Sequence, residues 1–196
     1  KCLNCHADTP SKNLPGLVVD SVAVNHSGGS LATYRHDEMG HTVPLEMRFG
    51  GWHLTGGHHL TKTHANLVSQ LDGDNMMTTP NPPGTFFNLQ RYPLATSDIL
   101  PNLVHEHQVG FINRVVEAIY QAREPDEKKF ELLAKDFADY ILFKNEAKLP
   151  AAGIVGDPAF IREFQTPPNV LREFDLRTRM FKYPCSYLLL TPTWQA

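Results

Sequence analysis

The residues best suited to chemistry stand at the start of the chain, where Cys2-Leu3-Asn4-Cys5-His6 reads Cys-x-x-Cys-His. Two thiols three positions apart project from one side of a helical turn, matching the two vinyl groups of a haem, and the next residue sets an imidazole on the iron. The expectation is a covalent haem c, with thioethers at Cys2 and Cys5 and His6 as the proximal axial ligand. Two other chemistries use such a pair. A zinc site needs a second Cys or His pair at suitable spacing, and the remaining cysteine, Cys185, is solitary. A thioredoxin-type dithiol follows a strand and opens a helix, whereas only Lys1 precedes this motif. Haem therefore ranks above zinc, and zinc above a dithiol.

The ten histidines all fall between His6 and His107, and none follows. A haem usually takes a second axial ligand and a polar shell around it. His107 lies on the apolar stripe of a long helical pattern, where a histidine is ordinarily a satisfied core residue. With an iron expected in the fold it becomes a distal candidate. His105 faces another side, and Glu106 could orient a neighbouring histidine by accepting its other ring proton. The glycines of Arg48-Phe-Gly-Gly-Trp-His-Leu-Thr-Gly-Gly-His-His59 allow close backbone approach to a flat ligand. His41, His58 and His64 are the candidates there for roles near the iron, while His26, His36, His53 and His59 read as incidental. Methionine is the competing distal ligand, with Met76-Met77 foremost among five, but histidine is favoured.

The elements that must position these groups divide the chain in two. Residues 17–24 alternate as one short strand, and 31–95 are rich in breakers such as Pro80-Asn81-Pro82-Pro83-Gly84. A stretch so irregular is normally functional or clamped by a ligand, and a haem would supply the apolar core it lacks. From Ser97 or Asp98 a helix carries Leu100, Val104, His107, Phe111, Val115 and Ile119 at spacings of three and four. A second helix opens at Pro125 with Phe130, Leu133, Phe137 and Ile141, and a shorter one at Asp157-Pro158. A last helix is expected from about Leu171 through Phe181, ended by Pro184. The expected fold is mainly α: a single domain over 1–196, with an irregular haem-wrapping part at 1–95 that holds one short strand, and a helical part at 96–196.

Composition excludes several classes. A chain of 196 residues with 41% hydrophobic and 20% charged residues can bury a core, and no apolar run approaches the ~18 residues of a membrane span. With 18 Lys and Arg against 21 acids there is no basic footprint for nucleic acid. The absence of an initiator Met and of a signal segment reads as a processed or partial sequence. Because haem is attached covalently outside the cytoplasmic membrane, the expected location is periplasmic or extracellular.

These motifs resemble those of a family of uncharacterised bacterial c-type cytochromes from proteobacteria and planctomycetes, over most of the chain. The resemblance rests on Cys2-Leu-Asn-Cys-His6 with Leu14-Pro-Gly-Leu17, and on His41-Thr-Val-Pro44 leading into Arg48-Phe-Gly-Gly-Trp52 and Thr55-Gly56. It continues in Glu106-His107-Gln108 and Leu171-Arg-Glu-Phe-Asp175 through Arg179-Met-Phe-Lys-Tyr-Pro-Cys-Ser-Tyr187. It implies a haem c and a His-rich pocket in which His58, His64 and His107 match recurrent positions, and a further region upstream of the haem motif. The family often has a second histidine after Glu-His-Gln, where this chain reads Ile112-Asn113, and a Met after the histidine matching His64, where it has Ala65. Those departures weaken a second metal or a Met ligand and leave His64 and His107 as the distal candidates.

The expected function is one-electron transfer through a bis-His haem, with redox proteins or neighbouring haem subunits as partners. A homo-oligomer, polymer or multihaem relay would follow. The alternative is a peroxidase-like oxidoreductase with His58 or His64 as acid/base above an open iron. A haem-based sensor or a structural binding module is a third class.

Overall fold

The computed structural model describes residues 6–7, 12–35, 39–82, 84–123, 126–166 and 169–190. Cys2 and Cys5 therefore lie outside the described residues. In chain order the elements are β1 (Val22–Val24), β2 (Ser30–Thr33), β3 (Leu67–Asp72), β4 (Asn75–Pro80), α1 (Ile99–Gln121), α2 (Glu127–Ile141) and α3 (Pro158–Phe164). The strands form two antiparallel pairs, β1 with β2 and β3 with β4. The fold is thus of mixed α and β class, 34% helical and 13% strand, and not mainly α with a helical C-terminal half.

Three segments carry that correction, the first being the single strand expected at 17–24, which is confined to Val22–Val24 and pairs with a further strand, Ser30–Thr33. Within the stretch read as irregular, Leu67 to Asp72 pair with Pro80 to Asn75 around the two-residue loop Gly73-Asp74. Gly73 takes φ +60°, as a glycine opening such a hairpin turn does. The third segment is the expected last helix. Only Val170–Arg172 turns, as a 3-10 helix, and the chain then reverses so that Phe174 bridges Phe181. Asp175 accepts hydrogen bonds from the Thr178 amide and hydroxyl, and Leu176 adopts φ +60°, which a helix does not permit. The periodic aromatics of this segment pack across a chain reversal, with Phe174 stacked on Phe181 at 5.2 Å between ring centroids.

The helices begin where short polar side chains satisfy their first amides. Asp98 accepts from Leu100 N at 2.9 Å, Asp126 from Lys129 N, and Asp157 from Ala159 N and Phe160 N with Pro158 at the first position. Helix α1 buries Leu100, Val104, His107 and Phe111 along one side. One cluster joins both halves of the chain, since Phe49 and Leu54 pack with Leu100, Val104, Phe143, Phe181 and Tyr187. No described helix is long and apolar enough to cross a membrane.

The loop before α3 closes tightly on α1. A Cβ at Gly156 would run into the side chain of Leu100, which is fully buried. Gly156→Ala is expected to destabilise the fold by about 1–3 kcal/mol through overpacking, read as a lowered urea midpoint at unchanged slope.

Candidate functional site

Two polar constellations surround α1, one on its exposed side and one in its buried face. The first contains what is described of the Cys-x-x-Cys-His motif. His6 is exposed, and its Nδ1 lies 3.1 Å from the Gly16 carbonyl oxygen, so Nδ1 carries the proton and donates. Gly16 N returns a bond to the His6 carbonyl at 2.7 Å, closing the loop from both ends. The same segment is fixed to α1. Leu17 N donates to Asn113 Oδ1 at 2.8 Å, Asn113 Nδ2 donates to the Leu17 carbonyl at 2.9 Å, and the Lys12 ammonium reaches Glu117 at 2.7 Å.

The second constellation is buried. Glu106, carried inward by α1, accepts both terminal nitrogens of Arg35 at 2.9 Å each and the Gly40 amide at 2.8 Å. A forked guanidinium against a carboxylate with a third donor is the geometry in which buried ions satisfy each other. Among the described residues Glu106 thus orients no histidine, contrary to the expectation for it. Beside it the His41 and His107 Nδ1 atoms meet at 2.9 Å, and His107 Nε2 lies 2.8 Å from Ser186 Oγ. The His107 ring is 0% exposed and lies between aromatic rings: Phe143 stacks on it, Tyr140 lies parallel, and the Tyr140 hydroxyl donates to the His107 carbonyl at 2.9 Å.

Arg48 shapes the loop that delivers His41. Its Nε donates to the Val43 carbonyl at 2.8 Å and Nη2 to the carbonyls of Val43 and Gly40, folding residues 40–48 shut, while Gly40 takes φ +104°. Burial lowers the Arg48 pKa to about 10, which still leaves it charged at neutral pH. Burial, then His107, Arg114 and Arg48, push His41 down to about 2, and burial with Arg114 pushes His107 down to about 3. Both imidazoles are neutral at ordinary pH. His41 Nε2 is buried without a hydrogen-bond partner.

His107 thus sits in the core, as its apolar stripe implied, with both ring nitrogens engaged. His64 lies apart from that pair as described by its contacts: half-buried, its ring stacks on Tyr34 at 3.5 Å between centroids and 4° between planes. His58 is half-buried, and its Nδ1 accepts from Leu60 N at 3.2 Å, which places its proton on Nε2. Burial lowers the pKa of both, and His59 adds to the effect at His58. Among the described residues, no group of three or more His, Cys, Asp or Glu gathers to hold a metal ion. Cys185 is a free thiol.

Arg35, Ser186 and Tyr140 escaped the sequence reading. Arg35 adjoins a strand and precedes a gap in any periodic pattern, Ser186 lies in an irregular tail, and nothing local marks either as a partner of α1. Comparison of the chain with protein-family models, curated proteins and solved structures finds no match.

Removing one member of a buried ion pair leaves an uncompensated charge. Glu106→Leu is expected to cost about 3–5 kcal/mol in denaturant unfolding, and the double variant Arg35→Met/Glu106→Leu is expected to recover part of that loss. The imidazoles predict a pH dependence. Their folded pKa values lie below the ordinary 6.5, so unfolding takes up protons; stability is complete above about pH 6.5 and falls as pH drops toward the folded values. Each contributes up to about 1.4 kcal/mol per pH unit. The slope of unfolding free energy between pH 6.5 and 4 should therefore be shallower in His41→Leu than in the wild type.

Proposed function

We propose that this chain is a c-type cytochrome domain that transfers single electrons through a haem bonded to Cys2 and Cys5, with His6 as an axial ligand. The observation that carries this reading is the Nδ1 contact of His6 to the Gly16 carbonyl at 3.1 Å, within a Cys-x-x-Cys-His motif. A histidine that binds metal through one nitrogen characteristically donates the other to a carbonyl or carboxylate, which fixes its tautomer and orientation. Here the proton sits on Nδ1, so the basic lone pair belongs to Nε2.

The haem supplies an iron that cycles between two oxidation states one electron apart. The protein's part is to hold His6. The backbone pair between His6 and Gly16, the two-point clamp between Leu17 and Asn113, and the Lys12 to Glu117 contact tie the motif to the longest helix. Because His6 is exposed, the arrangement favours close approach of a redox partner or of another haem, as in a relay or polymer. Covalent attachment places the protein in the periplasm or outside the cell.

Of the two candidates for a second iron ligand, His64 would be the better suited, because the nitrogens of His107 are engaged. For His107 to bind iron it would have to give up its contacts to His41 and Ser186 at 2.9 and 2.8 Å and leave the core. His58 accepts from Leu60 N at Nδ1 and carries its proton on Nε2, so neither nitrogen is offered to iron.

The test is expression with c-type maturation and the alkaline pyridine spectrum of the denatured chain. Haem with both vinyl groups saturated is expected, with Cys2→Ser/Cys5→Ser retaining none. A wild-type chain purified from that host without covalent haem would overturn the assignment. Low-spin bands should persist in His107→Ala and convert to high-spin in His64→Ala; low-spin bands in both variants would remove His64 from the iron.

A further inference from the structure

Helix α1 carries a second apolar row besides its buried one. Ile112, Val116, Ile119 and Tyr120 follow at spacings of four, three and one, and Ile112, Ile119 and Tyr120 are 42%, 50% and 39% exposed. A surface helix ordinarily turns polar residues to water, so a contiguous apolar row calls for something to cover it. What adjoins the row is the segment that bears the haem motif. Asn113 and Glu117, the two α1 residues that grip Leu17 and Lys12, are helical neighbours of Val116 and Tyr120. Leu17 and Val18 in that segment are themselves 41% and 37% exposed and extend the apolar surface away from the helix. Gly16, next to Leu17, is the residue to which His6 is bonded.

We propose, resting on the haem reading above, that Ile112, Ile119 and Tyr120 with Leu17 form the wall against which the tethered haem packs. Three facts select this occupant. Cys5 adjoins His6 in sequence, so a haem bonded there has only a short tether. His6 is held to the same segment that is clamped on α1 beside the row. The row is apolar and contiguous, as an apolar macrocycle requires, while the charged Lys12 and Glu117 lie at its border and pair with each other.

A charge set into this wall should act on the iron. Reduction of a haem removes one positive charge from the site, so a nearby carboxylate favours the oxidised form and an ammonium the reduced form. The test uses the full chain with its covalent haem and measures reduction potentials of Ile112→Glu, Ile119→Glu and Ile119→Lys. All are exposed positions, and far-UV circular dichroism checks the fold. Val155→Glu is the control, because Val155 is 59% exposed and adjoins Gly156, which abuts Leu100 at the other end of α1. At 1.5 Å per residue that end lies about 18–28 Å along the helix, more than two screening lengths of about 8 Å in physiological salt. Both Glu variants are expected to lower the potential, Ile119→Lys to raise it, and Val155→Glu to leave it at the wild-type value. A haem-bearing protein whose wall variants all coincide with Val155→Glu overturns the wall alone. A wild-type chain without covalent haem overturns the function on which it rests.

Discussion

The Arg35 to Glu106 pair is the constraint around which the rest is arranged. A carboxylate carried into the interior by a helix loses its hydration, and the loss is offset only when every lone pair finds a donor in good geometry. Arg35 supplies two donors and Gly40 a third, and both come from the loop-rich first part of the chain, some 66 to 71 positions away in sequence. The pair therefore fixes where the segment after β2 meets α1. Once Gly40 is placed, His41 follows beside His107, and Arg48 closes the intervening loop on its own carbonyls. A Cβ at Gly110 would run into Tyr140 and approach Gly40 Cα at 2.9 Å, so helix and loop meet backbone to backbone at this point. An apolar pair in place of these ions could fill the volume, but it would not specify this registration with the same directionality.

The electrostatic balance of this core has a consequence for its histidines. Arg35 and Arg48 face the carboxylates of Glu106 and Glu146, and Arg114, paired with Asp136, is a further cation that acts on both imidazoles. A protonated histidine in such surroundings is disfavoured twice, by burial and by like charge. Neutral rings can alternate donor and acceptor, which is what the line from Ser186 through His107 to His41 requires. Either direction of that line satisfies both inner contacts, and its two ends, Ser186 Oγ and His41 Nε2, change from donor to acceptor together. The buried pair is a hydrogen-bonded girder in which the two Nδ1 atoms are committed to each other and His107 Nε2 to Ser186.

The legibility of this chain in its sequence followed the range of the forces involved. The starts at Asp98 and Asp157 and the stripe of α1 are local, and they were readable; the second helix, expected to open at Pro125, which lies outside the described residues, is capped by Asp126 and runs from Glu127. Gly73-Asp74 was readable too, as a Gly-led two-residue turn between Leu67-Val68-Ser69 and Met76-Met77-Thr78, but the mass of surrounding breakers masked it. The segment from Phe174 to Phe181 shows the converse failure. Its aromatic spacing mimics a helix, whereas a side-chain turn at Asp175 and a left-handed Leu176 reverse the chain, and packing of Phe174 on Phe181 outweighs local propensity. The Cys-x-x-Cys-His motif is a pattern of sequence neighbours, and the haem proposed for it rests on that pattern. His107 was placed on the right face, but its partners Ser186 and His41 come from 79 and 66 residues away, and no local pattern encodes them.

Covalent attachment changes what a cofactor site must provide. A haem held only by packing needs an enclosing pocket whose buried area outweighs the entropy of association. Thioether bonds make the contact intramolecular, so the local concentration is set by a short tether and modest contacts suffice. A half-exposed apolar row beside a clamped histidine is then enough, and the core of the protein can remain closed around its own ion pair and imidazoles. Helix α1 serves two ends at once: residues 106 and 107 anchor its inner face, and residues 113 and 117 hold Leu17 and Lys12 on its outer face. A rigid helix shared in this way keeps His6 fixed relative to the body of the protein. For the haem proposed above, such rigidity would limit reorganisation around the iron when an electron is gained or lost.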